Sequence, residues 1–186
     1  MRSASLRLIG LGFGLLLACP AQARDVVGLF EEALEMSGPS RSLVYKTVDG
    51  KELSAHIHEP ESPLSSPAPA ILWFHGGGWE AGEPELLHPH SAYFADLGFV
   101  SVVVEYRLAG GETTIFDCVE DARDAFYWMV ANAGSLGLDA EKIIVAGESA
   151  GGHLAACVGI VPDSRGSGIP DPQPRPRGLV LLNPVT

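Results

Sequence analysis

The sequence predicts an α/β fold: a mostly parallel sheet with helices on both faces and an antiparallel hairpin at its N-terminal edge. Three observations predict it. Four short apolar runs have the length and composition of strands buried on both faces: Ala70 to Phe74 (AILWF), Phe99 to Glu105 (FVSVVVE), Lys142 to Ala146 (KIIVA) and Gly178 to Leu182 (GLVLL). Helical periodicity fills the segments between them, and strands that alternate with helices build parallel sheets. Ahead of these, two alternating segments flank Asp49-Gly50, a favoured two-residue hairpin turn.

The chain opens on a segment that reads as targeting. Arg2 and Arg7 supply positive charge, Leu8 to Leu17 is an apolar run too short to span a bilayer, and Ala21-Gln22-Ala23 fits an A-x-A cleavage pattern. Cleavage after Ala23 and a secreted or periplasmic location are expected. A competing reading takes Leu16-Leu17-Ala18-Cys19 as a loose lipoprotein box with Cys19 acylated, although its second Leu fits that pattern poorly. The expected division is a signal peptide at 1–23, a helical lead-in at 24–41 and a partial α/β domain at 42–186.

The remaining elements follow in order. Val26 to Met36 has helical spacing and Ser37-Gly38-Pro39 stops it. Leu43 to Val48 and Glu52 to His58 form the hairpin, and Pro60 to Pro69 is a Pro/Ser connector. After the AILWF strand, Pro89 to Leu97 reads as a helix closed by Gly98. The FVSVVVE strand precedes a long amphipathic helix, Thr114 to Ala133. The KIIVA strand runs into a helix over Ser149 to Val158, and Asp163 to Arg177 is a Pro-, Gly- and Arg-rich surface loop before GLVLL. An apolar strand so close to Thr186 leads us to expect that the C-terminal strands of the sheet are missing.

Composition narrows the function. Apolar residues make up 46% of the 186, enough for a core and unlike a disordered chain. A formal net charge of −11 disfavours nucleic acid and anionic lipid as partners. Cys118 and Cys157 fall at apolar-periodic helical positions and read as buried thiols; no Cys spacing suggests a metal. His56 and His58 share one strand face, and His88 and His90 fall in a loop. Neither pair has a nearby Cys or carboxylate to complete a metal site, so a solvated surface is expected and no cofactor is implied.

Two motifs carry chemistry. Gly147-Glu148-Ser149-Ala150-Gly151 fits G-x-S-x-G, which alone is weak, with roughly 0.2 chance matches in such a chain. Here it directly follows a predicted strand and opens a helix, the context of a nucleophile elbow. His75-Gly76-Gly77-Gly78-Trp79 follows the AILWF strand, and H-G-G-G has a chance expectation on the order of 0.01. Its bare backbone N–H groups suit an oxyanion loop. Both motifs leave the C-terminal ends of buried strands, where open α/β sheets place ligands.

HGGGW, VEYRL at 104–108, DCVEDARDAFYWM at 117–129 and AGESAGGHLAA at 146–156 together resemble the hormone-sensitive-lipase-like and acetyl-esterase-like branch of the α/β-hydrolases. The nearest resemblance is to secreted BD-FAE-like esterases, over Leu43 to the end. It implies the α/β-hydrolase fold, Ser149 as nucleophile, and an oxyanion hole from the N–H groups of Gly77, Gly78 and Ala150, with His75 and Gly76 supporting the loop. Trp79 and Glu148 are pocket candidates. Arg107 is expected to pair with Asp117 or Asp121, and the Tyr127-Trp128-Met129 cluster to join the core. In that family the acid and His follow Ser in the chain; here only His153 does, four residues along the same helix, out of reach of the Ser149 hydroxyl. Expected, then, is an esterase whose acid and base lie beyond this sequence, acting on a small-molecule or polysaccharide-linked ester. The alternatives are a silent binding module with the same elbow and a peptidase of the same fold.

Overall fold

A computed structural model describes residues 37–165 and 174–186. The predicted signal and its alternative at Cys19, the Val26–Met36 helix and the middle of the Asp163–Arg177 loop lie outside the described residues.

β1 (Arg41–Val48) and β2 (Lys51–His58) pair antiparallel with Val48 opposite Lys51. Asp49 and Gly50 take φ of 52° and 76°. Positive φ at both central residues gives the hairpin turn whose twist matches its strands. β3 (Ala68–Phe74), β4 (Val100–Val104), β5 (Leu138–Glu148) and β6 (Gly178–Leu182) complete a six-stranded sheet of order β1-β2-β4-β3-β5-β6. β3 lies parallel to β4 and β5, and β6 parallel to β5; β2 is antiparallel to β4. This is the expected mixed sheet with its hairpin at one edge.

The helices are α1 (His88–Asp96), led by a 3-10 turn at Pro84–Leu87, α2 (Ile115–Ala131), α3 (Ala133–Leu136) and α4 (Ala150–Ile160). Thr114 and Asp117 form a capping box at the start of α2: the Thr114 hydroxyl accepts from the Asp117 N–H, and the Asp117 carboxylate accepts from the Thr114 N–H at 2.7 Å. Alternate residues of β3 serve opposite faces of the sheet. Leu72 and Phe74 join Val102, Val104, Phe126, Met129 and Leu154 in one cluster, while Ile71 and Trp73 join Val103, Ala146 and Leu87 in the other. A strand buried this way has no polar face, which is why its sequence is a continuous apolar run.

The 3-10 turn and α3 are helical turns that the sequence did not suggest, and β3 and β5 start earlier than expected. β5 starts at Leu138, before the KIIVA run, because Leu138 pairs with Ala68 although Asp139, Glu141 and Lys142 are polar. Backbone pairing continues there into the hydrated rim of the sheet. Among the described residues β6 pairs with β5 alone, and Val180, Leu181 and Leu182 are 36–38% exposed.

Candidate active site

Neighbouring parallel strands bring the two motifs together. Phe74 at the end of β3 lies opposite Gly147 near the end of β5, so the segments that follow them start side by side. Ser149 occupies the turn from β5 into α4 with φ 50° and ψ −118°. Non-glycine residues rarely adopt such a conformation, and it costs on the order of 1–3 kcal/mol. Neighbouring backbone holds it in place. The Ser149 N–H donates to the Leu182 carbonyl at 2.9 Å, and its own carbonyl accepts from Val185 N–H at 3.1 Å and His153 N–H at 3.2 Å.

Close backbone approach explains the motif glycines. A Cβ on Gly147 would lie 2.3 Å from the Gly151 carbonyl oxygen, and one on Gly151 would lie 2.1 Å from that of Phe74. The Ser149 turn is thus wedged between α4 and the end of β3. Gly76 packs just as tightly on the elbow: its Cβ would meet both the Ser149 Cβ and the Glu148 carboxylate at 3.3 Å. The loop then folds back on itself, with Ala81 N–H donating to the Gly77 carbonyl at 3.0 Å. Gly77 takes φ 124°, and any side chain there would strike the Ala81 carbonyl at 2.0 Å.

The N–H groups of Gly77 and Gly78 donate to no carbonyl among the described residues, and Ala150 opens α4, where a helical N–H has no partner within the helix. The Ala150 N–H stands at the positive end of the α4 dipole. The arrangement is able to accept an oxyanion formed on a carbonyl attacked by Ser149.

The side chains around this core divide into support and wall. His75 is 2% exposed, and its Nδ1 lies 2.7 Å from the Gly76 carbonyl. Burial pushes its imidazole below the ordinary range, so it stays neutral and braces the loop. Trp79, half-buried at φ 65°, sets its indole edge-to-face with His153, ring centroids 5.3 Å apart. His153 also lies 3.6 Å from the Cys157 Sγ through Nε2. Its ring is therefore held along α4, and among the described residues the Ser149 hydroxyl has no hydrogen-bond partner. Trp79 Nε1 and His153 Nδ1 are buried polar atoms with no partner among the described residues. Burial raises the thiols of Cys118 and Cys157, both free, which keeps them protonated and out of nucleophilic chemistry.

Arg107 pairs with both predicted carboxylates. It grips fully buried Asp121 through Nε at 2.8 Å and Nη2 at 2.9 Å, and reaches Asp117 at 3.2 Å. Lys46 adds a second cation to Asp121 at 2.6 Å. His58 and His88, by contrast, depart from the solvated surface expected of them, while His56 is half-buried and His90 is exposed as expected. His88 and His90 lie in α1, not a loop, and His58 and His88 are 3% and 6% exposed. The cause is packing of α1 on β2: the His88 ring meets those of His56 and His58 at 5.4 and 5.2 Å, and His58 bonds the Ser91 hydroxyl at 2.8 Å. Among the described residues no three His, Cys, Asp or Glu side chains are placed to hold a metal ion. Nor is any described helix long and apolar enough to cross a membrane.

One contact of this site has no signature in the sequence. The Tyr106 hydroxyl donates to the His75 carbonyl at 2.9 Å. The only hint is topological: Tyr106 follows β4, the strand beside β3.

The profile of the BD-FAE family matches residues 56–167. The chain is 31% identical over 144 residues to the non-reducing polyketide synthase atr1 of Stereocaulon alpinum, covering 73% of this chain and 6% of the synthase. It is 39% identical over 89 residues to an AB hydrolase superfamily protein of Schizosaccharomyces pombe, covering 47% of this chain and 26% of that protein. Among solved structures it superposes on the propionate-bound esterase Est2 of Thermogutta terrifontis with a TM-score of 0.72 and 38% identity, covering 81% of this chain and 56% of that one. The same esterase phosphorylated by paraoxon matches at a TM-score of 0.71 and 37% identity, covering 78% of this chain and 57% of that one. The chain thus spans about half the length of the solved esterase and a small part of the synthase.

Proposed function

The chain belongs to the BD-FAE family of esterase-like α/β-hydrolases, and on that footing we propose that it acts on carboxylic esters through an acyl-enzyme on Ser149. One observation carries the reading. Ser149 sits in a strained strand-to-helix turn, and a glycine loop rich in free N–H groups packs against it closely enough that a Cβ on Gly76 would touch its Cβ.

In the proposed reaction the Ser149 hydroxyl attacks the ester carbonyl carbon and passes its proton to a base. The carbonyl oxygen takes up the negative charge and receives the N–H groups of Gly77, Gly78 and Ala150. Collapse expels the alcohol, and water then releases the acid. The base and its orienting acid come from outside the described residues, since His153 is turned onto Trp79 and Cys157. Short acyl groups fit the likeness to an esterase that binds propionate. An exported enzyme working on small or polysaccharide-linked esters is consistent with the predicted signal at 1–23. A silent binding module with the same elbow is the second reading.

Labelling by a fluorophosphonate probe separates the two. The esterase reading expects covalent labelling that Ser149→Ala abolishes, together with hydrolysis of p-nitrophenyl acetate or propionate by the full reading frame. A folded full-length protein that neither labels nor hydrolyses leaves the binding module.

A further inference from the structure

The His75 carbonyl oxygen is the point where the two motifs meet. From one side Gly151 of α4 comes so near that a Cβ there would lie 2.5 Å from this oxygen. From the other side the Tyr106 hydroxyl donates to it at 2.9 Å. The Tyr106 ring lies flat on the His75 imidazole, with centroids 4.4 Å apart and an interplanar angle of 18°. His75 Nδ1, 2.7 Å from the Gly76 carbonyl, uses its proton there. The phenol proton is therefore left with the His75 carbonyl as its acceptor, although Nδ1 is also within 3.3 Å. Gly82 closes the loop over the same ring, where a Cβ would lie 2.6 Å from Nδ1.

Tyr106 touches neither Ser149 nor the oxyanion donors in this network. It holds the residue from which the loop departs, two positions before Gly77. At 2% exposure it is excluded from substrate contact. Burial also drives its phenol far above the ordinary range, so the hydroxyl keeps its proton at any working pH.

We propose that Tyr106 is a positioning residue of the hydrolytic site, whose hydroxyl acts through the His75 main chain to fix the oxyanion loop against the nucleophile elbow. Its consequence for rate rests on the esterase reading above; its consequence for loop order does not. Displacing reacting groups by about 1 Å slows an enzyme by about 100-fold, so release of one anchor of the loop is expected to slow it by roughly tenfold.

Tyr106→Phe is the test, because it keeps the ring, its stacking and its volume and removes only the hydroxyl. In the variant, amide hydrogen exchange over residues 75–82 is expected to accelerate at least tenfold, and at Ala81 most clearly, while residues 143–147 exchange as in the wild type. In the full-length protein kcat for p-nitrophenyl propionate is expected to fall about tenfold with KM within twofold. Unchanged exchange over 75–82, or a loss confined to KM, overturns the proposal. So does a variant that fails to fold, because a hydroxyl that only places a loop is not needed for folding. A wild-type protein that neither labels nor hydrolyses sinks the esterase reading, and the exchange result then decides the role of Tyr106 by itself.

Discussion

Gly151→Ala makes opposite predictions depending on whether the helix or the elbow governs the position. Alanine is the better helix former by about 1 kcal/mol, so a helix considered alone is stabilised. In the fold, the new methyl group would lie 2.1 Å from the Phe74 carbonyl oxygen and 2.5 Å from that of His75. Ordinary contact begins at 3.4 Å, so α4 has to withdraw by about 1.3 Å from the end of β3. Rigid backbone stands on both sides, because Gly147 already meets the Gly151 carbonyl from below. Overpacking of this kind destabilises by about 1–3 kcal/mol, which leaves a net loss after the helix gain. The displacement also carries the Ala150 N–H away from the loop, and a misplacement of about 1 Å slows catalysis on the order of 100-fold. Urea unfolding and the rate of fluorophosphonate labelling measure the two effects. Gly134→Ala is the control, since nothing lies within 4 Å of its Cβ position, and it is expected to be neutral or slightly stabilising. A Gly151→Ala protein as stable as the control, and labelled as fast, would refute the wedge.

Three further outcomes follow from the same structure. Asp121→Asn is expected to lower stability by about 3 kcal/mol, at the lower end for a broken buried pair, because Lys46 and Arg107 keep Asp124 and Asp117 as partners; a shift in urea midpoint worth less than 1 kcal/mol contradicts this. Acid is expected to loosen the packing of α1 on β2. Burial, then the neighbouring His58 and His56, pushes His88 down to about 4, so the unfolded chain binds a proton that the fold refuses. The stability is complete above the unfolded value of about 6.5 and is lost as pH falls from there towards 4, by up to about 3 kcal/mol. Unfolding curves between pH 8 and 4 check it, with His88→Phe expected to flatten the dependence. Val185→Pro removes the N–H that donates to the Ser149 carbonyl, worth about 1 kcal/mol, and is expected to slow labelling about fivefold relative to Val185→Ala, which keeps it; equal rates in the two variants count against the bond.

Legibility in the sequence followed physical locality. The hairpin, the four apolar strands and both motifs were readable because each depends on residues adjacent in the chain: a turn needs Asp49-Gly50, and an elbow needs its glycines within five positions. The Arg107–Asp121 pair was readable too, since a cation ending one strand and carboxylates on the next helix face each other once the helix returns over the sheet. The histidine cluster was not. His56 and His58 alternate on β2 as residues on an exposed strand would, and their burial is decided by where α1 lands, some thirty residues later in the chain.

The Ser149 turn shows how such non-local bonds fix a local conformation. Ser149 cannot hold φ 50° through its own motif, because glycines on either side only make room for the turn. The conformation is enforced from outside by Leu182 and Val185, which bond its N–H and carbonyl, and by the ends of β3 and α4, which leave the backbone no other path. Strain of about 1–3 kcal/mol is comparable to two such bonds at about 1 kcal/mol each. The Ser149 turn is therefore only as well placed as β6 and the residues just after it are well seated. Among the described residues β6 has β5 as its one strand partner, and Val180, Leu181 and Leu182 are more than a third exposed. Order in β6 would tighten Ser149, so the conformation of Ser149 should follow the order of β6 more closely than the overall stability of the fold.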